Sequence, residues 1–496
     1  MEEYSLQNEH HESGEPQEGS INNSYADKYG IPEDDLSYRP SKKIKHEDVL
    51  GAIITELKQL DLENISSEEG SRRLTRDNFH VIVVEEFLRT AIENKFALCI
   101  YNGTVFVFNG EYWKHMSADI MRHVLGEAAV KLGIQYMEAV HYKFKDSLLR
   151  QFFASAFLPH PERKNDEVRI TLENGTFLIT PREQRLCSFN HKDFITHQLK
   201  FYYHPDADAP QFQAFLDEVL PDRMAQKVLA QYVGYVLIPN AVLSLERALV
   251  LYGSGANGKS VMFSIINALL GSENVSNYSL ESLTDANGYY RHKLGLVLLN
   301  YSSEISSRMD TTFFKQLVSG EPIQARLPRQ APVIITDYAR LMFNTNTLPR
   351  DVEQNEAFFR RFIIIPFAVT IPEHRRDPDL AKKIIASELP GIFNWVLEGL
   401  RSLLETRQFA FSQTITDTVL EYKKKSDSVT MFLEDENYIL DPSEKCIVKG
   451  VYETYSNYCK LYGYSACSLK TFTDRLRGLG ISVSRTSSGN VAGLKN

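Results

Sequence analysis

Gly253, Ser254, Gly255, Ala256, Asn257, Gly258, Lys259 and Ser260 follow one another in the spacing G-x-x-x-x-G-K-[ST]. Glycines let successive backbone N–H groups curl around one point, where they can surround phosphate oxygens. Lys259 would bring its charge to the β- and γ-phosphates of a nucleotide, and Ser260 a hydroxyl to Mg²⁺. These residue types therefore predict a cradle for a nucleoside triphosphate, with ATP and Mg²⁺ as its ligands. Such a cradle forms where a strand meets a helix. An apolar run over residues 248–252 precedes it, and Val261, Ile265 and Leu269 follow on one helical stripe.

Further groups must act on the phosphates. "LGLVLLNYSSEIS" predicts a second buried strand whose end carries Asn300, Ser303 and Glu304, and the Glu304 carboxylate suits a base that takes a proton from water. The bland alternative is an exposed strand end. A third strand, "ARLMFNTN", ends at Asn344 and Asn346, amides that could hold the attacking water or sense the γ-phosphate. "EAFFRRFIIIPF" sets Arg360 and Arg361 ahead of a fourth apolar strand, where guanidiniums could stabilise phosphoryl-transfer charge on a neighbouring subunit's ATP. Taken alone, such a pair reads as ordinary surface arginines. Asp206 and Asp208, between prolines ahead of a helix, suit turn and cap roles better than metal binding.

In this order, "LYGSGANGKS", "SSEI", "FKQLVSGEPIQAR", "LMFNTNTLPRD" and "FFRRFIIIPF" resemble the helicase domain of superfamily III, in the phage and plasmid primase-helicase family that includes the poxvirus primase-helicase. Upstream, "YNGTVFVFNGEYWKH", "LENGTFLIT" and "QLKFYYHPDADAPQFQAFLDEVLP" look like the domain that precedes the motor in this family. The resemblance implies an α/β fold: an AAA+-like P-loop helicase core, an N-terminal α/β domain and a C-terminal winged-helix-like domain. By position it makes Lys259 and Ser260 the phosphate and Mg²⁺ ligands, Glu304 the base, Asn346 the strand-end sensor, and Arg361, with Arg360 close behind, the arginine acting in trans. Gly320 belongs to the family's extra motif. The usual acidic partner before the catalytic Glu is Ser303 here, which leaves metal control mainly to Ser260 and water.

The activity implied is that of an ATP-driven replicative DNA helicase of a phage, plasmid or other mobile element, a homo-hexameric ring moving on single-stranded DNA. "EPIQARLPRQAPVIITDYARL" predicts a hairpin with Arg326 and Arg329 at or near its tip. In related hexamers the equivalent hairpin projects into the pore and grips strand phosphates; two arginines on a hairpin are also what a solvated edge looks like. The alternatives are an ATP-switched origin-binding or scaffold protein that recruits a separate helicase, and a small-molecule P-loop kinase, against which the arginine pair and the C-terminal tail count.

That tail reads as helix, helix, wing. Lys470, Arg475 and Arg477 would lie on or near a recognition helix and Arg485 on the wing, placed for phosphates of duplex DNA, or else the tail is a structural cap on the motor. Tyr452, Tyr455 and Tyr458 read as core. The expected organisation is an acidic disordered tail over 1–45, a helical and mixed domain over 46–240, the motor over 241–412, and linker plus winged helix over 413–496. Primer synthesis needs a further fold of ~200 residues, more than the chain ahead of Phe96 can hold, so no intrinsic priming is expected. The net charge of −9 over 496 residues does not decide the partner, because a ring can concentrate basic groups inside an acidic exterior. No apolar run approaches the ~20 residues of a membrane span and no signal peptide is evident, which predicts a cytoplasmic protein with no membrane partner. Five scattered cysteines without a C-x-x-C pair read as reduced thiols.

Overall fold

The computed structural model describes residues 44–60, 75–101, 103–156, 166–303, 305, 309–326, 332–349, 352–487 and 489–495. Its contacts divide into two compact units, one formed by Met1–Gly110 with Lys114–Pro161 and the other by Glu111–Trp113 with Glu162–Asn496.

In the first unit, α1 (His46–Glu56) and α2 (Arg76–Glu93) precede strands β1 (Ala97–Tyr101), β2 (Thr104–Phe108) and β3 (Trp113–Met116), followed by helices α3 (Ala118–Lys131), α4 (Tyr136–Ala139) and α5 (Tyr142–Ser155). Val49, Ile53 and Leu57 carry the helical spacing that the sequence shows, and all three are buried. The hairpin β1–β2 pairs Tyr101 with Thr104. Two residues are left for its turn, and Gly103 supplies the φ of +72°.

The second unit opens with an antiparallel sheet of β4 (Val168–Leu172), β5 (Gly175–Ile179) and β6 (Gln184–Cys187). Helices α6 (Pro210–Val219) and α7 (Arg223–Val236) follow, and then the central sheet begins with β7 (Ala248–Tyr252) and α8 (Lys259–Leu270). Next come β8 (Val275–Ser276), α9 (Leu280–Leu283), α10 (Tyr289–Leu294), β9 (Leu299–Ser302) and α11 (Thr311–Ser319). A hairpin of β10 (Ile323–Ala325) and β11 (Val333–Ile335) leads to β12 (Arg340–Thr345), α12 (Glu356–Phe359), β13 (Phe362–Pro366) and the long α13 (Leu380–Thr406). The five-stranded sheet runs β13-β7-β12-β9-β8, and every pairing in it is parallel. Strand β7 sends Leu249 and Leu251 to one buried face and Ala248 and Val250 to the other. Burial on both faces is why it reads as an unbroken apolar run.

The expected boundary near residue 240 falls inside one continuous core. Val168 and Phe177 of the small sheet, Phe215 of α6 and Tyr232 of α7 share a cluster with Leu249, Ile265 and Leu400. Helices α7 and α13 touch backbone to backbone: a Cβ on Gly399 would lie 2.4 Å from the Ala230 carbonyl carbon, and one on Gly234 2.9 Å from Leu400 Cα. The chain then continues through α14 (Gln413–Ser426), α15 (Ser428–Asp435), α16 (Val448–Tyr462) and α17 (Leu469–Gly478). Strands β14 (Ile439–Leu440) and β15 (Cys446–Ile447) alternate with these helices, and β16 (Val483–Thr486), β17 (Gly489–Ala492) and β18 (Leu494–Lys495) close the chain. Their cluster centres on Phe432, Tyr455, Tyr458 and Phe472, so the tyrosines expected in the core are there.

Candidate functional site

The glycine loop leaves the carboxyl end of β7, which lies inside the parallel sheet with β13 on one side and β12 on the other. Open parallel sheets present ligand crevices at such ends. Gly255 and Gly258 have φ of +114° and +86°, and Gly258 caps α8. Only glycine adopts these values without strain. Gly258 also has no room for a side chain, since a Cβ there would lie 2.8 Å from Val219 Cγ1 and 2.9 Å from Phe215 Cε2, both on α6. A Cβ on Gly253 would lie 2.4 Å from Phe367 O. The loop is tied to the neighbouring strand end by Asn257 Nδ2, which donates to Phe367 O at 2.8 Å, and by the Ile371 N–H, which donates to Ala256 O at 2.8 Å.

Lys259 folds back into this loop. Its ammonium donates to Gly253 O at 2.6 Å and to Asn257 Oδ1 at 2.9 Å, and the residue is 7% exposed. Both acceptors are neutral, and burial pushes the lysine below its ordinary pKa. A buried cation held only by neutral dipoles in a loop of backbone N–H groups fits an anion. Ser260 is exposed at the first turn of α8, where its hydroxyl could join a cation bound to such an anion.

The strand-end amides divide differently from the expectation. Strand β12 ends at Thr345, so Asn346 lies beyond it and is exposed. Asn344 is buried: its Oδ1 accepts from Tyr301 Oη at 2.8 Å, and its Nδ2 lies 3.4 Å from Lys259 O at the start of α8. Asn300 is spent at the sheet margin, where its amide binds Ser276 Oγ and the backbone of Tyr278. Ser303 follows the end of β9, and Glu304 lies outside the described residues.

The arginines stand at the opposite edge of the sheet. Phe362 pairs with Ala248, whereas the loop begins at Gly253; five residues at about 3.3 Å each make a separation of roughly 16 Å. The two side chains diverge. Arg361 is 8% exposed and turned inward, with bonds to Ala357 O and, at 3.0 Å, to Ser319 Oγ, and Glu246 lies 3.4 Å away. Arg360 points outward with about half its side chain exposed, and its only printed ion pair is with Glu246 at 3.5 Å.

Among the residues expected to touch DNA, Arg326 is exposed just after β10, and Arg329 lies outside the described residues. Gly320 ends α11 with φ +71°. In the C-terminal region Lys470 and Arg485 are exposed, and Arg477 pairs with Asp474 one turn away. Arg475 departs from the expectation, because it is turned inward onto Asp427 at 3.1 Å and is thereby withdrawn from a duplex. One element had no sequence signal. Glu388 of α13 is 4% exposed and accepts from the N–H groups of Gln211 and Phe212 at 3.0 and 2.8 Å, capping α6, the helix that walls the loop at Gly258.

Residues 85–221 match a family described as D5 N terminal like, and residues 251–361 match a family of unknown function, DUF5906. The second match runs from the end of β7 to Arg361 and so takes in the loop and both arginines. A protein of Acanthamoeba polyphaga mimivirus named as a helicase is 24% identical over 358 residues, 64% of this chain. The chain spans 36% of that relative's length. Apo structures of the NrS-1 C-terminal region cover 82% of the chain, one at 10% identity and TM-score 0.48 over 98% of its own length, another at 12% and 0.45 over 97%. Among the described residues no helix is long and apolar enough to cross a membrane.

Proposed function

We propose that this chain is an ATP-hydrolysing replication helicase of a virus, phage or other mobile element. The observation that carries the reading is Lys259, a buried ammonium satisfied only by Gly253 O and Asn257 Oδ1 inside a glycine loop at the carboxyl edge of a parallel sheet. The mimivirus relative's name supports the helicase part.

In this reading the loop N–H groups and Lys259 bind the triphosphate, the lysine exchanging its neutral acceptors for phosphate oxygens. Ser260 would hold Mg²⁺, which when bound neutralises phosphate charge. Glu304 takes a proton from water as its oxygen attacks the γ-phosphorus, and the bond to the β-phosphate oxygen breaks, leaving ADP. Asn344, joined to Tyr301 and to the start of α8, takes the sensing role expected of Asn346. Arg360 rather than Arg361 is the arginine free to reach another subunit's phosphates, since it is exposed and lies at the sheet edge away from its own loop. In a homo-hexameric ring, hairpins β10–β11 would present Arg326 and Arg329 to single-stranded DNA, and Lys470, Arg477 and Arg485 remain available for duplex phosphates.

The test is strand displacement together with ATP turnover, with and without single-stranded DNA, and particle counting by negative stain. Turnover and unwinding that vanish in Lys259→Ala agree with the reading. A chain that binds no nucleotide, or a Lys259→Ala variant that turns over normally, refutes it.

A further inference from the structure

At the sheet edge opposite the glycine loop, three guanidiniums gather around one carboxylate. Arg247 leads into β7, and Arg360 and Arg361 lead into β13. The Ala248 N–H donates to Arg361 O at 2.8 Å, which fixes the two strand starts side by side. Glu246 Oε2 lies 3.5 Å from Arg360 and 3.4 Å from Arg361. Arg247 has only the carbonyls of Leu245 and Glu246, at 3.5 and 3.3 Å, among the bonds of the described residues. The Nε of Arg361 is buried without a partner.

The cluster is short of negative charge. Burial, and after it the neighbouring charge of Arg360, disfavours the charged form of Arg247. Glu246, the carboxylate that partly balances the group, sits at φ +54°, a left-handed conformation that costs a non-glycine residue free energy and persists where surroundings enforce it. Beside the cluster opens a cleft of about 840 Å³ lined by Lys227, Arg247, Arg360, Arg407 and Lys423, with Glu356 the one carboxylate in its wall. Guanidiniums recognise oxyanions through paired N–H donors, and a phosphate chain offers several acceptors to several of them at once. The chain's own loop cannot bring a phosphate here, because the length of β7 stands between them.

We propose that Arg247 and Arg360 form a two-point phosphate site, partly occupied by Glu246 in the free chain, that receives the phosphates of a nucleotide held in the glycine loop of a second copy of this chain. The site rests on the reading of that loop as an ATP cradle. Glu246 acts as the internal anion that keeps the arginines in place until phosphate displaces it. Arg247 then contributes to phosphoryl transfer in a neighbour and not in its own chain.

The experiment uses the full chain with Arg247→Ala, Arg247→Lys, Arg360→Ala and Lys259→Ala, each checked for folding by thermal unfolding and for subunit exchange with labelled protein. A fluorescent ATP analogue reports binding, and phosphate release reports turnover. Arg247→Ala should bind the analogue within twofold of the parent, because its own cradle is untouched, while turnover falls at least tenfold; Arg247→Lys should recover part of the loss. Mixed with Lys259→Ala, itself inactive, Arg247→Ala should regain turnover that peaks at intermediate ratios, since intact Arg247 of one copy meets intact Lys259 of the next. Parent-like turnover in Arg247→Ala alongside an inactive Lys259→Ala overturns the phosphate site and leaves the cradle standing. Recovery in mixtures with Arg360→Ala but none with Arg247→Ala also overturns it, confining Arg247 to its own chain. Analogue binding that persists unchanged in Lys259→Ala removes the cradle itself.

Discussion

Arg360 and Arg361 are adjacent in sequence, yet their alanine variants should fail in opposite ways. Arg361 loses its bonds to Ala357 O and Ser319 Oγ and a pairing with Glu246 in a buried setting. A partner left unsatisfied costs about 1–3 kcal/mol and a broken buried ion pair about 3–5 kcal/mol. Glu246 is partly exposed and can rehydrate, so the expected loss is about 2–4 kcal/mol. Arg360 has half its side chain in water and a single pair at 3.5 Å, for which about 0–1 kcal/mol is appropriate. Urea unfolding should therefore show a clear drop in midpoint for Arg361→Ala and almost none for Arg360→Ala. Steady-state hydrolysis should reverse the ranking: Arg360→Ala keeps nucleotide binding and loses on the order of 10³ or more in turnover, the range of arginine fingers, while Arg361→Ala turns over in proportion to its folded fraction. Undiminished stability in Arg361→Ala together with parent-like turnover in Arg360→Ala would refute the assignment of both.

Glu304→Gln should retain ATP affinity and lose turnover, trapping ATP on the protein; filter binding against phosphate release separates the two, and normal release means that another group takes the proton. Lys259, depressed by burial, carries a pH signature in the unbound chain. Its folded pKa lies below the unfolded value of about 10.4, so the cost of burying the ammonium is present at neutral pH and is relieved as pH rises from the folded value to the unfolded one. Stability from this residue rises across that alkaline window while nucleotide affinity falls, and both trends should be absent in Lys259→Met; a parallel fall in that variant would assign them elsewhere. Glu388→Ala leaves the first N–H groups of α6 without their acceptor and should cost about 2–4 kcal/mol in urea unfolding. Because α6 walls Gly258, nucleotide affinity should weaken as well, and an unchanged midpoint would show that water replaces the carboxylate.

Where local covalent geometry dictates the outcome, the sequence was sufficient. Glycines stand at Gly255 and Gly258 because those φ values exclude side chains, the strand before them is apolar because both faces are covered, and the helix after them shows its stripe. The order of these three elements, and the lysine between the last two, were legible from residue types alone. Tertiary structure decided everything that depends on which side of an element faces the interior. Asn344 and Asn346 share a strand parity, and only the end of β12 at Thr345 separates a buried amide from an exposed one. Arg360 and Arg361 follow a short helix whose last turn aims one outward and the other at Ser319 and Glu246, and no periodicity announces that. Arg475 met Asp427, and Glu388 met the start of α6, across 48 and 177 positions of sequence. Such pairings are set by packing, as is the common core that joins β4, β5, α6 and α7 to the central sheet. A polar side chain states what it can bind; which partner it receives is fixed by the apolar surfaces whose burial brings distant segments together.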